Sequence, residues 1–125
     1  MTGVLDTSVF IARESGRPLG TLPEHGYVSV MTVAELRVGV LVASDPATRA
    51  QRMRTLSEVE GLQALPVDDA VAREFADLVA LAREANQRPR ILDTLIAATA
   101  RLREVPVYTQ DADFDAIPGV EVVRV

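Results

Sequence analysis

Short apolar runs alternate along this chain with longer stretches whose apolar residues recur every three or four positions. Few patterns constrain a fold more tightly. Strand-length segments alternating with helix-length ones build a parallel sheet with helices on both faces. The runs Val4-Leu5, Tyr27–Val30, Leu62–Pro66, Pro106–Thr109 and Val120–Val125 predict a five-stranded α/β sheet. The first run delivers a carboxylate, Asp6, and then Thr7-Ser8, so it predicts strand, tight turn and helix. In such a sheet, ligands bind in the crevice outside the carboxyl ends of the strands, and Asp6 is expected at that edge.

The first helix continues through Val9–Glu14 until Gly16, Pro18, Gly20 and Pro23 break it. The loop that follows carries the lone histidine, His25, which is expected to be exposed and without a chemical role. Thr32-x-x-Glu35 has the form of a capping box and predicts a helix start within Met31–Ala43. That helix is apolar on most sides, so it is expected to be largely buried or covered by a partner. Asp45-Pro46 and Asp68-Asp69 open two further helices, closed by Gly61 and Asn86. After the basic loop Gln87-Arg88-Pro89-Arg90, a helix dense in Leu, Ile and Ala runs from Ile91 to Arg103, with Asp93 in its first turn.

With 125 residues and 48% hydrophobic composition, the chain is expected to form a single domain over residues 1–125 with a real core. It has no cysteine, which removes disulfides and thiolate metal sites. No apolar run has the length of a membrane span, and Asp6 interrupts the place where a secretory signal needs its apolar centre. A cytoplasmic protein is expected. The net charge of −5 does not suggest a nucleic-acid binder, but all 13 basic residues are arginine. Arginine suits phosphate because its planar fork can bind two oxygens at once. If Asp6, Glu35, Asp93 and Asp111 share divalent cations, the remaining surface is close to neutral, and a nucleic-acid substrate is not excluded.

Each acid has a local structural explanation. Asp6 and Asp93 can cap or stabilise helix starts, Glu35 completes a capping box, and Asp111 and Asp113 can belong to a polar turn. The same features, however, gather all of them at one edge of a parallel sheet. Carboxylates crowded there repel one another, and a divalent cation relieves the repulsion. With oxygen donors only, Mg²⁺ and Mn²⁺ are the natural occupants. Such a site activates water and stabilises the charge on a phosphodiester being cleaved. Other machinery is missing. A single loop histidine excludes a histidine-pair ribonuclease mechanism, and there is no cysteine nucleophile. A receiver domain needs a lysine, and Asp6-Thr7-Ser8 lacks the second Asp of a haloacid-dehalogenase-type phosphatase. No glycine-rich phosphate loop is present.

The acid-bearing stretches together resemble the PIN-domain family, and within it the VapC ribonuclease toxins of VapBC toxin–antitoxin modules. The resemblance rests on Val4-Leu5-Asp6-Thr7-Ser8, Thr32-Val33-Ala34-Glu35-Leu36, Ile91-Leu92-Asp93 with Leu95-Ile96-Ala97-Ala98, and Thr109-Gln110-Asp111-Ala112-Asp113-Phe114. Any one of these is weak; the four in order, spanning the chain, are specific. The resemblance implies a three-layer α/β/α fold and Mg²⁺- or Mn²⁺-dependent endonucleolytic cleavage of RNA. It also implies a homodimer and a cognate VapB-type antitoxin that covers the site. Asp6, Glu35, Asp93 and Asp111 would form the catalytic acid set, with Asp6, Asp93, Asp111 and Asp113 around the metal. Thr7, Ser8 and Thr109 would support them. Gln110 stands where the family more often has Asn or a charged residue. By position, Arg88 and Arg90, and beyond them Arg13 and Arg17, are candidate RNA contacts. Two other readings are a housekeeping PIN nuclease of RNA processing and a catalytically silent PIN-like protein-binding module. The intact acid set argues against the second.

Overall fold

The computed structural model describes residues 1–125. The strands are β1 (Thr2–Leu5), β2 (His25–Ser29), β3 (Ala64–Leu65), β4 (Val107–Thr109) and β5 (Val122–Arg124). The helices are α1 (Thr7–Glu14), α2 (Val30–Leu41), α3 (Pro46–Glu60), α4 (Asp69–Glu84) and α5 (Ile91–Leu102), with a 3₁₀ turn at Ala112–Ala116. The sheet order is β3-β2-β1-β4-β5, and every pairing is parallel.

From the central β1 the chain steps outward to β2 and β3, then crosses back to β4 on the other flank of β1 and ends at β5. Crossovers between parallel strands are right-handed, so stepping in opposite directions puts α1, α2 and α3 on one face and α4 and α5 on the other. The pleat sorts the side chains accordingly. Val4, Val107 and Leu65 pack with Leu78, Ile96, Ala97 and Phe114 under α4 and α5. Leu5, Val28 and Tyr108 pack with Phe10, Leu36, Leu56 and Val59 on the opposite face. Neighbouring residues of one strand thus serve two cores, the arrangement the alternating sequence predicts.

Most helix ends lie where the sequence puts them. The side chains of Asp6, Asp45 and Asp68 accept from the backbone N–H groups of Ser8, Thr48 and Val71 at the starts of α1, α3 and α4. Pro46 opens α3 and Gly61 caps its end. Asn86, just past α4, takes a left-handed φ of 58° that turns the chain out of the helix.

The start of α2 needs correcting. Ser29, not Thr32, is its N-cap, and the Ser29 side chain accepts from Met31 N at 3.0 Å. Val30, expected at the end of a strand, is the first helical residue. Thr32 is buried, and neither it nor Glu35 serves as a cap. Of the two expectations for α2, burial within the chain is not met, which leaves cover by a partner. Only Thr32 and Leu36 of this helix are buried, while Val38, Leu41 and the following Val42 are exposed. No helix is long and apolar enough to cross a membrane.

Candidate active site

The sheet reverses its direction of winding between β1 and β4, and the crevice at the carboxyl ends of these strands is where such folds bind ligands. Asp6 ends β1 and donates its N–H to Tyr108 O at 2.9 Å, which brings it alongside Thr109, the last residue of β4. Asp6 is buried, and its Oδ2 is saturated. It accepts from Ser8 Oγ at 2.6 Å, Thr109 Oγ1 at 2.9 Å and Ser8 N at 3.3 Å. Ser8 Oγ and Thr109 Oγ1 lie 3.1 Å apart. Thr109 Oγ1 also accepts from Asp111 N at 2.9 Å. Two hydroxyls therefore tie the ends of β1 and β4 to one carboxylate oxygen. A short side chain held by several bonds has few other rotamers to visit.

Asp93 reaches the same crevice from the first turn of α5. It is 4% exposed, and its Oδ2 has no hydrogen-bond donor. Burial pushes this carboxyl up to about 6. The Arg90 guanidinium pulls in the other direction, and the charges of Asp6, Asp111 and Glu35 add to the rise. The other three expected acids thus all act electrostatically on Asp93.

Oxygens of Asp93, Asp111 and Asp113 lie within 4.8 Å of one another. Asp6 is outside this trio. Asp111 caps the 3₁₀ turn by accepting from Asp113 N at 2.8 Å, which folds Asp113 back toward it. A buried carboxylate with an unpartnered oxygen, grouped with two more carboxylates, fits a hard divalent cation, whose preferred donors are oxygens. Glu35 stands on α2 at the rim. Thr7 Oγ1 donates to Glu35 Oε1 at 2.8 Å and approaches Thr32 Oγ1 at 3.0 Å, so that the two acceptors share one proton.

The arginines sort differently from their order in the sequence. Arg90 lies 3.8 Å from Asp93 Oδ2 and 3.9 Å from Asp113 Oδ2. Arg17 lines a hollow with Ser8, Gln110, Asp111 and Arg124 beside the acids. Arg13 does not join them, because it faces Glu14, Gln51 and Arg54 against α3. Arg88 turns back on its own neighbour, donating to Gln87 O at 3.1 Å. His25 begins β2, exposed at the opposite edge of the sheet.

Sequence reasoning missed Arg124 and the bonds of Gln110. Arg124 pairs in register with Thr109 and donates to Gln110 O at 2.9 Å. The Gln110 side-chain amide donates to Pro18 O at 2.9 Å and Val125 O at 3.0 Å, fastening the loop after α1 and the last strand to the site. The alternation of Val123, Arg124 and Val125 marks a strand, but nothing local marks which strand lies next to it.

An acid-lined crevice at the switch point of a five-stranded parallel sheet defines an α/β protein with a candidate metal-dependent hydrolytic site. The chain belongs to the PIN-domain family, whose pattern it matches over residues 3–120. It is 52% identical to Ribonuclease VapC5 of Mycobacterium tuberculosis over 128 residues, covering 98% of this chain and 95% of the relative. It is 48% identical to Ribonuclease VapC8 of the same species over 103 residues, covering 81% of this chain and 92% of the relative. Its fold superposes with a TM-score of 0.90 on VapBC-5 of Mycobacterium tuberculosis, a member of the VapBC family of toxin–antitoxin systems. That match has 48% identity and covers 99% of this chain and 98% of the other.

Proposed function

We propose that this chain, as a single PIN domain over residues 1–125, is the toxin component of a type II toxin–antitoxin module. Its activity is that of a divalent-cation-dependent endoribonuclease, working in the cytoplasm. The observation that carries the reading is the buried Asp93, whose Oδ2 has no donor and whose carboxylate offers an oxygen within 4.8 Å of oxygens of Asp111 and Asp113. The names of the relatives, ribonucleases all, point to the same substrate.

Asp93, Asp111 and Asp113, with Asp6 beside them, would hold Mg²⁺ or Mn²⁺. When bound, the cation supplies charge stabilisation on the phosphodiester and a water of lowered pKa. The chain's own residues do the rest. Ser8 and Thr109 fix Asp6 in one rotamer, so the acid is in place before RNA arrives. Glu35, oriented by Thr7, is suited to take the proton of the attacking water. Hydrolysis forms a P–O bond to that water and breaks the bond to the leaving ribose oxygen. Arg90, with Arg17 and Arg124 beside Asp111, is suited to the flanking phosphates, whereas Arg88 would first have to leave Gln87.

The uncovered side of α2 supports a partner. Val38 is 55% exposed, Leu41 72% and Val42 68%, and Met53 of α3 is 52% exposed. A VapB-type antitoxin helix laid over this apolar strip would bury it. A homodimer is the second partner proposed.

The test uses induced expression and purified protein, comparing wild type with Asp6→Ala. Growth arrest with a discrete RNA cut is expected for wild type alone. Cleavage by the purified enzyme should need Mg²⁺ or Mn²⁺ and stop in EDTA. Equal arrest by both proteins, or cleavage that survives EDTA, would overturn the reading.

A further inference from the structure

Arg90 occupies a position that local rules assign to other residues. It is the N-cap of α5, where Ser, Thr, Asp or Asn normally satisfies a free N–H, and it makes no side-chain cap bond. It also puts a positive charge at the positive end of the helix dipole. Such local conflicts are expected where function is served. The compensating charge comes from Asp93 in the first turn of the same helix and from Asp113 beyond it.

The backbone of Arg90 is anchored, since its carbonyl accepts from Thr94 N at 3.0 Å and Thr94 Oγ1 at 2.8 Å. The side chain is the movable part, 58% exposed. Its guanidinium reaches two of the three clustered acids, Asp93 Oδ2 at 3.8 Å and Asp113 Oδ2 at 3.9 Å. Both distances are too long for hydrogen bonds. The arm is held by charge alone, and a competing charge can displace it.

We propose that Arg90 is the resident counter-ion of the Asp93–Asp111–Asp113 cluster in the metal-free protein, exchanged for the divalent cation when that binds. The inference rests on the proposed cation site. A monovalent guanidinium and a divalent cation among the same oxygens repel, so the arm must swing outward as the ion enters. Arg90 is thereby released toward solvent at the mouth of the crevice only in the loaded protein, where a phosphate would meet it. Arg90 is a positioning residue on this account: it keeps the acids apart in charge terms until the cation takes over.

The experiment is calorimetric titration of Mn²⁺ into metal-free wild type, Arg90→Ala, Arg90→Gln and Arg90→Lys, each first checked for a cooperative thermal transition. Arg90→Gln keeps most of the side chain should Arg90→Ala fold poorly. Removing the competitor should tighten Mn²⁺ binding by about 3–10-fold in the neutral variants, corresponding to up to about 1.4 kcal/mol. Arg90→Lys, which keeps the charge, should stay close to wild type. Binding that is unchanged or weaker in both neutral variants, with wild type still binding, would overturn the counter-ion role and leave the cation site standing. Absence of Mn²⁺ binding to wild type itself would overturn the cation site, and this inference with it.

Discussion

α5 and α2 are each 12 residues long and both strongly apolar, yet they meet opposite fates. In α5, Thr94 and Ile96 to Ala100 are buried with Asp93, because the helix lies against β1 and β4 under the cover of α4. In α2 only Thr32 and Leu36 are buried, and its second half ends in exposed Val38, Leu41 and Val42. α5 is a finished wall that has a carboxylate built into it. α2 is finished only in its first turns, where Thr32 and Glu35 meet Thr7. Apolar composition alone therefore does not measure burial. What decides is whether a second layer of the same chain arrives to cover the helix.

The largest effect belongs to the finished wall. Ile96 is fully buried in the core under α4 and α5, so Ile96→Ala should cost about 2–5 kcal/mol in urea unfolding. A cost below about 1 kcal/mol would mean that α5 is not the wall described.

The next effect lies in the carboxylate within that wall. Asp93 has an ordinary value of 3.8 that rises to about 6 in the folded protein. The native state therefore holds its proton more tightly than the unfolded chain does. This contribution is complete below pH 3.8 and is lost as pH rises through about 6. Above that, ionised Asp93 costs the metal-free protein up to about 3 kcal/mol, at about 1.4 kcal/mol per pKa unit. Asp93→Asn should accordingly raise the melting temperature at pH 7.5 in EDTA, and flatten its dependence on pH between 4 and 6. Mn²⁺ should stabilise wild type by mass action and do so far less in Asp93→Asn. A variant less stable than wild type at pH 7.5 would contradict the crowding of charge at this position.

The smallest effect belongs to the open face. Leu41→Ser should shift stability by no more than about 0.5 kcal/mol, as for surface positions elsewhere. It should weaken binding of a copurifying antitoxin, measured by calorimetry or gel filtration. A loss of several kcal/mol in the isolated chain would instead show α2 to be part of the core.

Much of this was legible beforehand. The five strands, the helix opened by Asp68-Asp69 and closed by Asn86, and the Asp caps all follow from periodicity and short-range hydrogen bonding. The start of α2 was not, because Ser29 closes an apolar run and looks like strand, while Thr32 and Glu35 happen to have capping spacing. Their hydroxyl and carboxylate serve Thr7, 25 and 28 residues away. Asp6, Asp93 and Asp111 were legible as acids because each follows a strand or opens a helix, and topology carries such positions to one edge. Glu35, inside α2, was found through a capping pattern that the structure does not use. Arg124 and Gln110 were not, since their bonds depend on which strands are neighbours. Pro18 is 92 residues from Gln110, and no local pattern announces that pairing.

The bond between Thr109 and Asp6 spans 103 residues. During synthesis the chain emerges from its N-terminus at roughly 5–20 residues per second, so Asp6 precedes Thr109 by on the order of 5–20 s. Until β4 and the turn after it arrive, β1 lacks its neighbour on one side, and the Asp6 carboxylate lacks its Thr109 partner. The crevice is thus completed only once Thr109 and the acids that follow it have been made. An unfinished polypeptide on the ribosome, surrounded by RNA, carries Asp6 but no assembled acid cluster. Topology itself delays the assembly of the acid cluster until β4 and the turn after it exist.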